Sequence, residues 1–113
     1  MAAVLVVDDD PLVRELIRAI LEAKGYSVLL ASNGIDGLLL YSSYHARLDA
    51  VLTDLEMPQM GGLELAARIH TINPSMKIIL ITGSGLSEVP EYCGLVSKPF
   101  RPEDLLATLP NDS

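Results

Sequence analysis

Acidic residues stand at the ends of two largely apolar runs in the sequence. Asp54 follows residues 50–53, and three consecutive aspartates at residues 8–10 follow residues 4–7. Open α/β sheets bind ligands beyond the carboxyl ends of their strands, so neighbouring strands would bring these carboxylates into one crevice. Two carboxylates ~4 Å apart repel each other by roughly 4 kcal/mol at a partly buried site. The pattern therefore predicts a cation in the crevice, and Mg²⁺, which keeps water and phosphate oxygens as ligands, suits phosphoryl chemistry.

A hydroxyl and an ammonium are predicted at the same edge of the sheet. Thr82 follows the apolar run at residues 78–81, and Lys98 follows a shorter run at residues 95–96. Each side chain also has an ordinary interpretation, because threonine satisfies backbone groups, aspartate forms turns and caps helices, and a lysine can simply be solvated. Their joint position at strand ends favours one shared site.

Phosphoryl transfer is the chemistry that this set of side chains fits. Asp54 is the expected nucleophile, since a carboxylate can accept a phosphoryl group to form an aspartyl phosphate. Asp9 and Asp54 would hold Mg²⁺ directly and Asp8 would hold it through water. Lys98 and the Thr82 hydroxyl would then compensate the remaining charge on the phosphoryl oxygens.

The hydrophobic periodicity predicts alternating strands and helices. Apolar strands are expected at residues 3–7, 27–31, 50–53, 77–81 and 95–96. Helices are expected from Asp10 and Pro11 to Gly25, over residues 35–46 and 63–72, and from Pro102 onward. The predicted inward stripes are Val13, Leu16, Ile17, Ile20 and Leu21 in the first helix, Ile35, Leu38 and Leu39 in the second, Leu65, Ala66 and Ile69 in the third, and Leu105, Leu106 and Leu109 in the last. Arg14 is expected to face outward.

Strands that are apolar throughout, each followed by a helix, indicate an α/β fold with a parallel sheet covered on both faces. Five strands favour the flavodoxin-like, doubly wound order 2-1-3-4-5, which makes the first and third strands neighbours. The connection from Gly83 to Cys93 contains Pro90 and is about as short as an average helix alone. The helix between strands four and five, the fourth in this fold, is therefore expected to be shortened or absent.

Length and composition exclude several classes of protein. The 113 residues predict a single domain over residues 1–113, and 50% apolar residues argue against disorder. A net charge of −7 and the absence of tryptophan argue against binding of nucleic acid, which needs basic residues and aromatic side chains. The sequence has neither a membrane-length apolar run nor a signal peptide, so a cytoplasmic location is expected. Its single cysteine, Cys93, is expected to be a partly buried thiol, and His45 and His70 are expected to be structural.

The sequence resembles the receiver domain of two-component response regulators over nearly its whole length. The resemblance rests on Val6-Val7-Asp8-Asp9-Asp10, Leu52-Thr53-Asp54-Leu55-Glu56-Met57-Pro58, Gly61-Gly62-Leu63-Glu64-Leu65, Ile81-Thr82-Gly83 and Lys98-Pro99-Phe100. It implies that Asp54 is the phosphoacceptor, that Asp8 and Asp9 organise Mg²⁺ together with the backbone carbonyl of Glu56, that Thr82 is the switch hydroxyl and that Lys98 is the active-site lysine. It further implies a cis peptide bond at Lys98-Pro99.

The same resemblance implies a sensor histidine kinase or a histidine phosphotransfer protein as partner, docked on the first helix near Pro11, Leu12 and Glu15. It implies a phosphoacceptor signalling domain rather than an enzyme with a separate substrate. Glu56 and Ser84 would flank the phosphoryl group and tune the hydrolytic water. The kinase, the stimulus, the output and the oligomeric state stay open.

One residue departs from the family pattern. Leu95 stands where the family has its switch aromatic on the fifth strand, and Tyr92 is nearby but out of register. The usual coupling between the threonine hydroxyl and an aromatic side chain is therefore not expected in its ordinary form.

Several alternatives share parts of this pattern. One is a pseudo-receiver, an interaction module that signals without phosphate; another is a receiver domain excised from a hybrid histidine kinase. A small phosphatase with an Asp-x-Asp loop is disfavoured because Met57 and Pro58 follow Glu56 and no cap domain is available. Nucleotide binding is weaker still, because the sequence contains no G-x-x-x-x-G-K-[ST] motif.

Overall fold

The computed structural model describes residues 2–83 and 88–110 of the chain. Its strands form one parallel five-stranded sheet in the order β2-β1-β3-β4-β5, which confirms the predicted flavodoxin-like order. The strands are β1 (Ala3–Val7), β2 (Ser27–Ala31), β3 (Ala50–Asp54), β4 (Lys77–Thr82) and β5 (Cys93–Ser97). The helices are α1 (Pro11–Ala23), α2 (Gly34–Tyr44), α3 (Gly62–Ile72) and α4 (Pro102–Leu106), with a short 3-10 turn at His45–Arg47.

The strand register sets the position of the site. β1 pairs with β3 so that Val7 lies opposite Thr53. The next residue in the chain is Asp8 after Val7 and Asp54 after Thr53. On the other side of β3, Asp54 lies opposite Ile81, the residue before Thr82. Because all strands run parallel, their carboxyl ends meet at one edge of the sheet, where the predicted polar side chains converge.

Alternating side chains of the strands build a core on each face of the sheet. Leu5 and Val7 of β1 point toward the cluster under α2 and α3, whereas Val4 and Val6 point toward the cluster under α1 and α4. This alternation is the two-residue period of an extended strand. Both faces are therefore apolar and covered, which explains why the strands read as continuous hydrophobic runs.

Helix α1 begins and ends as its sequence predicts. The Asp10 carboxylate caps it by accepting a hydrogen bond from the Leu12 N–H, and Gly25 follows it with a φ of 90°. Ile17 and Leu21 are fully buried. The prediction that Leu16 points inward is wrong, because its side chain is 52% exposed.

Helix α2 packs only partly on the predicted face, since Leu38 lies against the core cluster but Ile35 and Leu39 do not. Ile35 and Leu39 are 46% and 62% exposed, and the buried residues are Gly34, Gly37 and Tyr41. A Cβ at Gly37 would approach the Val7 side chain to 2.9 Å, so the helix backbone lies directly against β1. The contact face contains Gly34, Gly37 and Tyr41, with Leu38 and Leu40 packed at its border.

The connection between β4 and β5 agrees with a shortened fourth helix. Within it, the described residues 88–92 adopt turn and irregular conformations rather than a helix, and residues 84–87 lie outside the described part. β5 is longer than predicted, since it begins at Cys93. Among the described helices, none combines the length and the apolar character needed to cross a bilayer.

Candidate functional site

Three carboxylates meet at the carboxyl edge of the sheet. Asp8, Asp9 and Asp54 each bring an oxygen within 4.8 Å of the others. Asp8 is fully buried and Asp54 is 6% exposed, whereas Asp9 is exposed to solvent. The sequence predicted this convergence from strand ends alone, and the pairing of β1 with β3 produces it.

Asp8 accepts hydrogen bonds at both its carboxylate and its backbone carbonyl. Its Oδ1 accepts a hydrogen bond of 2.8 Å from the Asp10 N–H, and its backbone carbonyl accepts one of 2.7 Å from Arg14 Nη1. Its Oδ2 is buried and has no hydrogen-bond partner among the described residues. Burial raises the pKa of the Asp8 carboxyl, while the Asp10 N–H and the Lys98 ammonium act against that rise. An ionised oxygen without a donor is the kind of atom that a cation would satisfy.

Asp54 ends β3 in a similar environment. Burial is the main cause that raises its pKa above the ordinary value, and the neighbouring Asp8 charge raises it further. The Lys98 ammonium and the backbone N–H of Glu56 act in the opposite direction. The carboxylate is thus accessible at one edge, oriented by a backbone donor and crowded by like charge.

Lys98 supplies the opposing charge. Its Nζ lies 3.5 Å from Asp54 Oδ1 and 3.8 Å from Asp8 Oδ2, so it bridges the two buried acids. The backbone N–H of Lys98 donates a 2.7 Å hydrogen bond to the Thr82 carbonyl, which fixes the chain beyond β5 against the end of β4. The Lys98-Pro99 peptide bond is cis, as the family resemblance implies.

The residues present fit a hard divalent cation. One ammonium faces three carboxylates in the described part of the site, so negative charge is left uncompensated. The donors are oxygens, one of which is the unpartnered Asp8 Oδ2, and Mg²⁺ prefers oxygen ligands. The backbone carbonyl of Glu56 stays a predicted fourth ligand.

Tight backbone packing positions the loop that follows Asp54. A Cβ on Gly62 would collide with the Asp54 carbonyl, and a Cβ on Gly34 would collide with the Met60 carbonyl. The Gly62 N–H also donates a 2.9 Å hydrogen bond to the Leu55 carbonyl. Glycines therefore let the loop fold back on β3 and lie against the start of α2, which fixes Glu56 above the site.

Thr82 is fully buried at the end of β4. Its hydroxyl donates to Glu56 Oε1 over 3.4 Å. The sequence predicted the position of Thr82 but gave no sign of this contact, because the two residues are far apart in the chain. Ser84, expected to act beside Glu56, lies outside the described residues.

Arg14 is a further residue that the sequence interpretation missed. It was expected to face outward, but it is partly buried and its guanidinium reaches back to the Asp8 carbonyl. Its position could have indicated this contact, because Arg14 lies one helical turn after Asp10, which caps the helix and ends the acidic run.

The aromatic contact near Leu95 is made by Tyr92, which precedes β5. Leu95 is partly buried against the core cluster under α2 and α3. Tyr92 stacks on His70 of α3 with ring centroids 3.8 Å apart and planes inclined by 8°. The predicted structural role of His70 agrees with this stack, although its partner could not be identified from the sequence.

The chain matches the family model described as the response regulator receiver domain over residues 4–110. It is 38% identical over 114 aligned residues to response regulator MprA of Mycobacterium sp. (strain KMS), and the alignment covers 94% of this chain and 48% of that relative. It is also 38% identical over 84 residues to transcriptional regulatory protein GlrR of Escherichia coli (strain K12), covering 74% of this chain and 18% of that relative. The chain thus spans about half, or less, of the length of these relatives.

Solved structures share the same architecture. A response regulator receiver domain protein from Clostridium thermocellum superposes with a TM-score of 0.90 at 31% sequence identity. The superposition covers 96% of this chain and 90% of that one.

Proposed function

The chain belongs to the response regulator receiver domain family, and on that premise we propose that its Asp54 carboxylate accepts a phosphoryl group in a phosphorelay. The proposed unit is one receiver over residues 1–113. It would act as a phosphoacceptor in the cytoplasm, and its donor would be a phosphohistidine on a sensor histidine kinase or a histidine phosphotransfer protein.

One observation carries the proposal. The same ammonium, Lys98 Nζ, lies within 4 Å of both Asp54 Oδ1 and Asp8 Oδ2. Asp8 Oδ2 is buried and has no hydrogen-bond partner among the described residues. Such an arrangement leaves a carboxylate facing a charged crevice suited to the oxygens of a phosphoryl group. A pseudo-receiver would not need this set of groups.

In the proposed reaction an oxygen of Asp54 forms a bond to phosphorus while the bond from phosphorus to the donor imidazole nitrogen breaks. The imidazole leaves with the bonding electrons. The Glu56 N–H orients the Asp54 carboxylate, and the Lys98 ammonium neutralises charge on the phosphoryl oxygens. Mg²⁺ held by Asp8, Asp9, Asp54 and the Glu56 carbonyl would supply further positive charge to those oxygens.

The direct test uses acetyl phosphate and MgCl₂ with the purified chain. We expect intact mass to show one added phosphoryl group on the wild type and none on Asp54→Asn. The matched control is Asp49→Asn, because Asp49 precedes β3 at the opposite end of the same strand and binds the Ala3 N–H. Phosphorylation of Asp54→Asn at the wild-type level would refute the assignment.

The proposed partner surface is the exposed face of α1. Leu12 is 81% exposed and Leu16 is 52% exposed, and Leu12 lies on the first turn of the helix, two residues after Asp10. Exposed apolar side chains beside a reactive site favour docking of another protein. Pro11, Leu12 and Glu15 are the residues proposed to touch it.

Docking is tested by comparing the rate of phosphoryl transfer from a phosphorylated histidine phosphotransfer protein with the rate from acetyl phosphate. We expect Leu12→Glu to slow transfer from the protein donor at least about tenfold, as for loss of an apolar anchor, and to leave uptake from acetyl phosphate unchanged. Ile72→Glu is the control, because Ile72 is 59% exposed at the far end of α3. Equal transfer rates for all three proteins would exclude this surface.

A further inference from the structure

We propose that the Glu56 side chain acts as a latch that holds the Thr82 hydroxyl away from the phosphoryl position. The inference rests on the proposed function and adds a positioning residue to it. The backbone N–H of Glu56 orients the Asp54 carboxylate. The Glu56 carboxylate has a separate role, because it receives the hydroxyl that the phosphoryl group would need.

The contact has the properties of a releasable bond. The Thr82 hydroxyl reaches Glu56 Oε1 over 3.4 Å, longer than the ~2.7 Å of a strong O–H···O hydrogen bond. Thr82 is fully buried, whereas Glu56 is exposed and can leave without uncovering the core. When the latch opens, water can solvate the Glu56 carboxylate while the Thr82 hydroxyl turns toward the phosphoryl oxygens.

Charge acts in the same direction as the hydrogen bond. A protein phosphate carries about −1.5 to −2 charges, and Glu56 would add its own negative charge beside the acids already present. A phosphoryl group on Asp54 therefore gains from withdrawal of the Glu56 carboxylate, while the unmodified site gains from its hydrogen bond with Thr82. Glu56 thus favours the unmodified state through both effects.

Two substitutions separate these effects. Glu56→Gln keeps an oxygen that can accept the Thr82 hydrogen bond but removes the charge, and Glu56→Ala removes both. We expect the concentration of beryllofluoride that half-saturates the site in MgCl₂ to fall about fivefold in Glu56→Ala and by a smaller factor in Glu56→Gln. The control is Glu64→Gln, because Glu64 is an exposed acid of α3 that pairs with Arg68 at 2.9 Å.

A second measurement tests the latch without any phosphoryl mimic. Three-bond couplings of Thr82 report its χ1 rotamer in the unmodified protein, and we expect Glu56→Ala to change the rotamer populations while Glu64→Gln does not. In a Thr82→Val background, Glu56→Ala should lose the part of its effect on beryllofluoride affinity that comes from the hydrogen bond, and keep only the effect of the lost charge, which Glu56→Gln measures.

The outcomes distinguish this inference from the proposed function. Unchanged Thr82 couplings in Glu56→Ala would overturn the latch, even if Asp54 is phosphorylated normally. A wild-type protein that takes up neither phosphate nor beryllofluoride would refute the proposed function, and the couplings would still decide whether Glu56 holds Thr82. Equal beryllofluoride affinity in the wild type and Glu56→Ala would also overturn the inference.

Discussion

At the scale of single residues, Asp8 and Asp54 are costly to ionise even beside the Lys98 ammonium when no metal ion is bound. Burial raises the pKa of both carboxyls, and each acid is close to the other. The folded protein therefore binds protons at these groups more tightly than the unfolded chain does. Its stability falls as the pH rises from the ordinary value of 3.8 through the raised folded value, and the loss is complete above it.

Asp54→Asn is consequently expected to stabilise the metal-free protein near neutral pH. The amide removes a buried charge from the group of carboxylates, and we expect a gain of roughly 1 kcal/mol, or about 4 °C in Tm. The gain should disappear below the ordinary carboxyl pKa of 3.8, where the unfolded chain also holds its proton. Thermal unfolding in EDTA across this range measures it. A variant less stable than the wild type at neutral pH would contradict the charge argument.

The positions of the candidate site residues were largely predictable where strands end. Asp8, Asp54, Thr82 and Lys98 were found from the sequence because a parallel sheet brings strand ends together. The hydrogen bond from Thr82 to Glu56 could not be found in this way, since it depends on how a seven-residue loop turns back over β3. Local sequence does not encode such a side-chain contact across strands.

At the scale of elements, the glycines of α2 decide how the helix meets its neighbours. The predicted stripe of large apolar residues was only partly right, because Leu38 packs against the core whereas Ile35 and Leu39 are exposed. Gly34 touches the loop after β3, and Gly37 touches β1. Strands were easier to predict than this helix, since a fully buried strand is apolar throughout and needs no choice of face.

Gly34→Ala is expected to disturb the loop that carries Glu56. The new Cβ would collide with the backbone carbonyl of Met60, and backbone atoms yield less easily than the end of a side chain. We expect a loss of roughly 1–3 kcal/mol in the free energy of unfolding, measured with urea, and chemical shift changes around Met60. Gly94→Ala is the control, because its Cβ would meet Ile79 Cγ1 at an ordinary 3.5 Å. Equal stability of the two variants would contradict this account.

At the scale of the whole molecule, binding of a cation at the acidic site would be linked to folding. The acids of the site lie at the ends of β1 and β3, which meet only in the folded sheet, so an ion bound by them would stabilise the folded state. The net charge of −7 adds a general attraction for cations. The sequence predicted the sheet order that creates this link, whereas the packing of α2 and the stack of Tyr92 on His70 required the structure.

Mg²⁺ is expected to raise the thermal stability of the wild type. At ten times its Kd the stabilisation is about 1.4 kcal/mol, and it grows with the logarithm of concentration. Asp9→Asn should reduce the response strongly while changing the metal-free protein little, because Asp9 is exposed. Thermal scans over a MgCl₂ series, with NaCl at matched ionic strength, measure the effect. A Tm that depends on ionic strength alone would exclude a specific site.

The stack of Tyr92 on His70 also gives the molecule a natural optical reporter. The chain contains four tyrosines and no tryptophan, so tyrosine emission is not lost by energy transfer to an indole. Tyr92 lies immediately before β5, with its ring face to face with an imidazole of α3. Separation of α3 from this connection would therefore change tyrosine fluorescence without any attached dye.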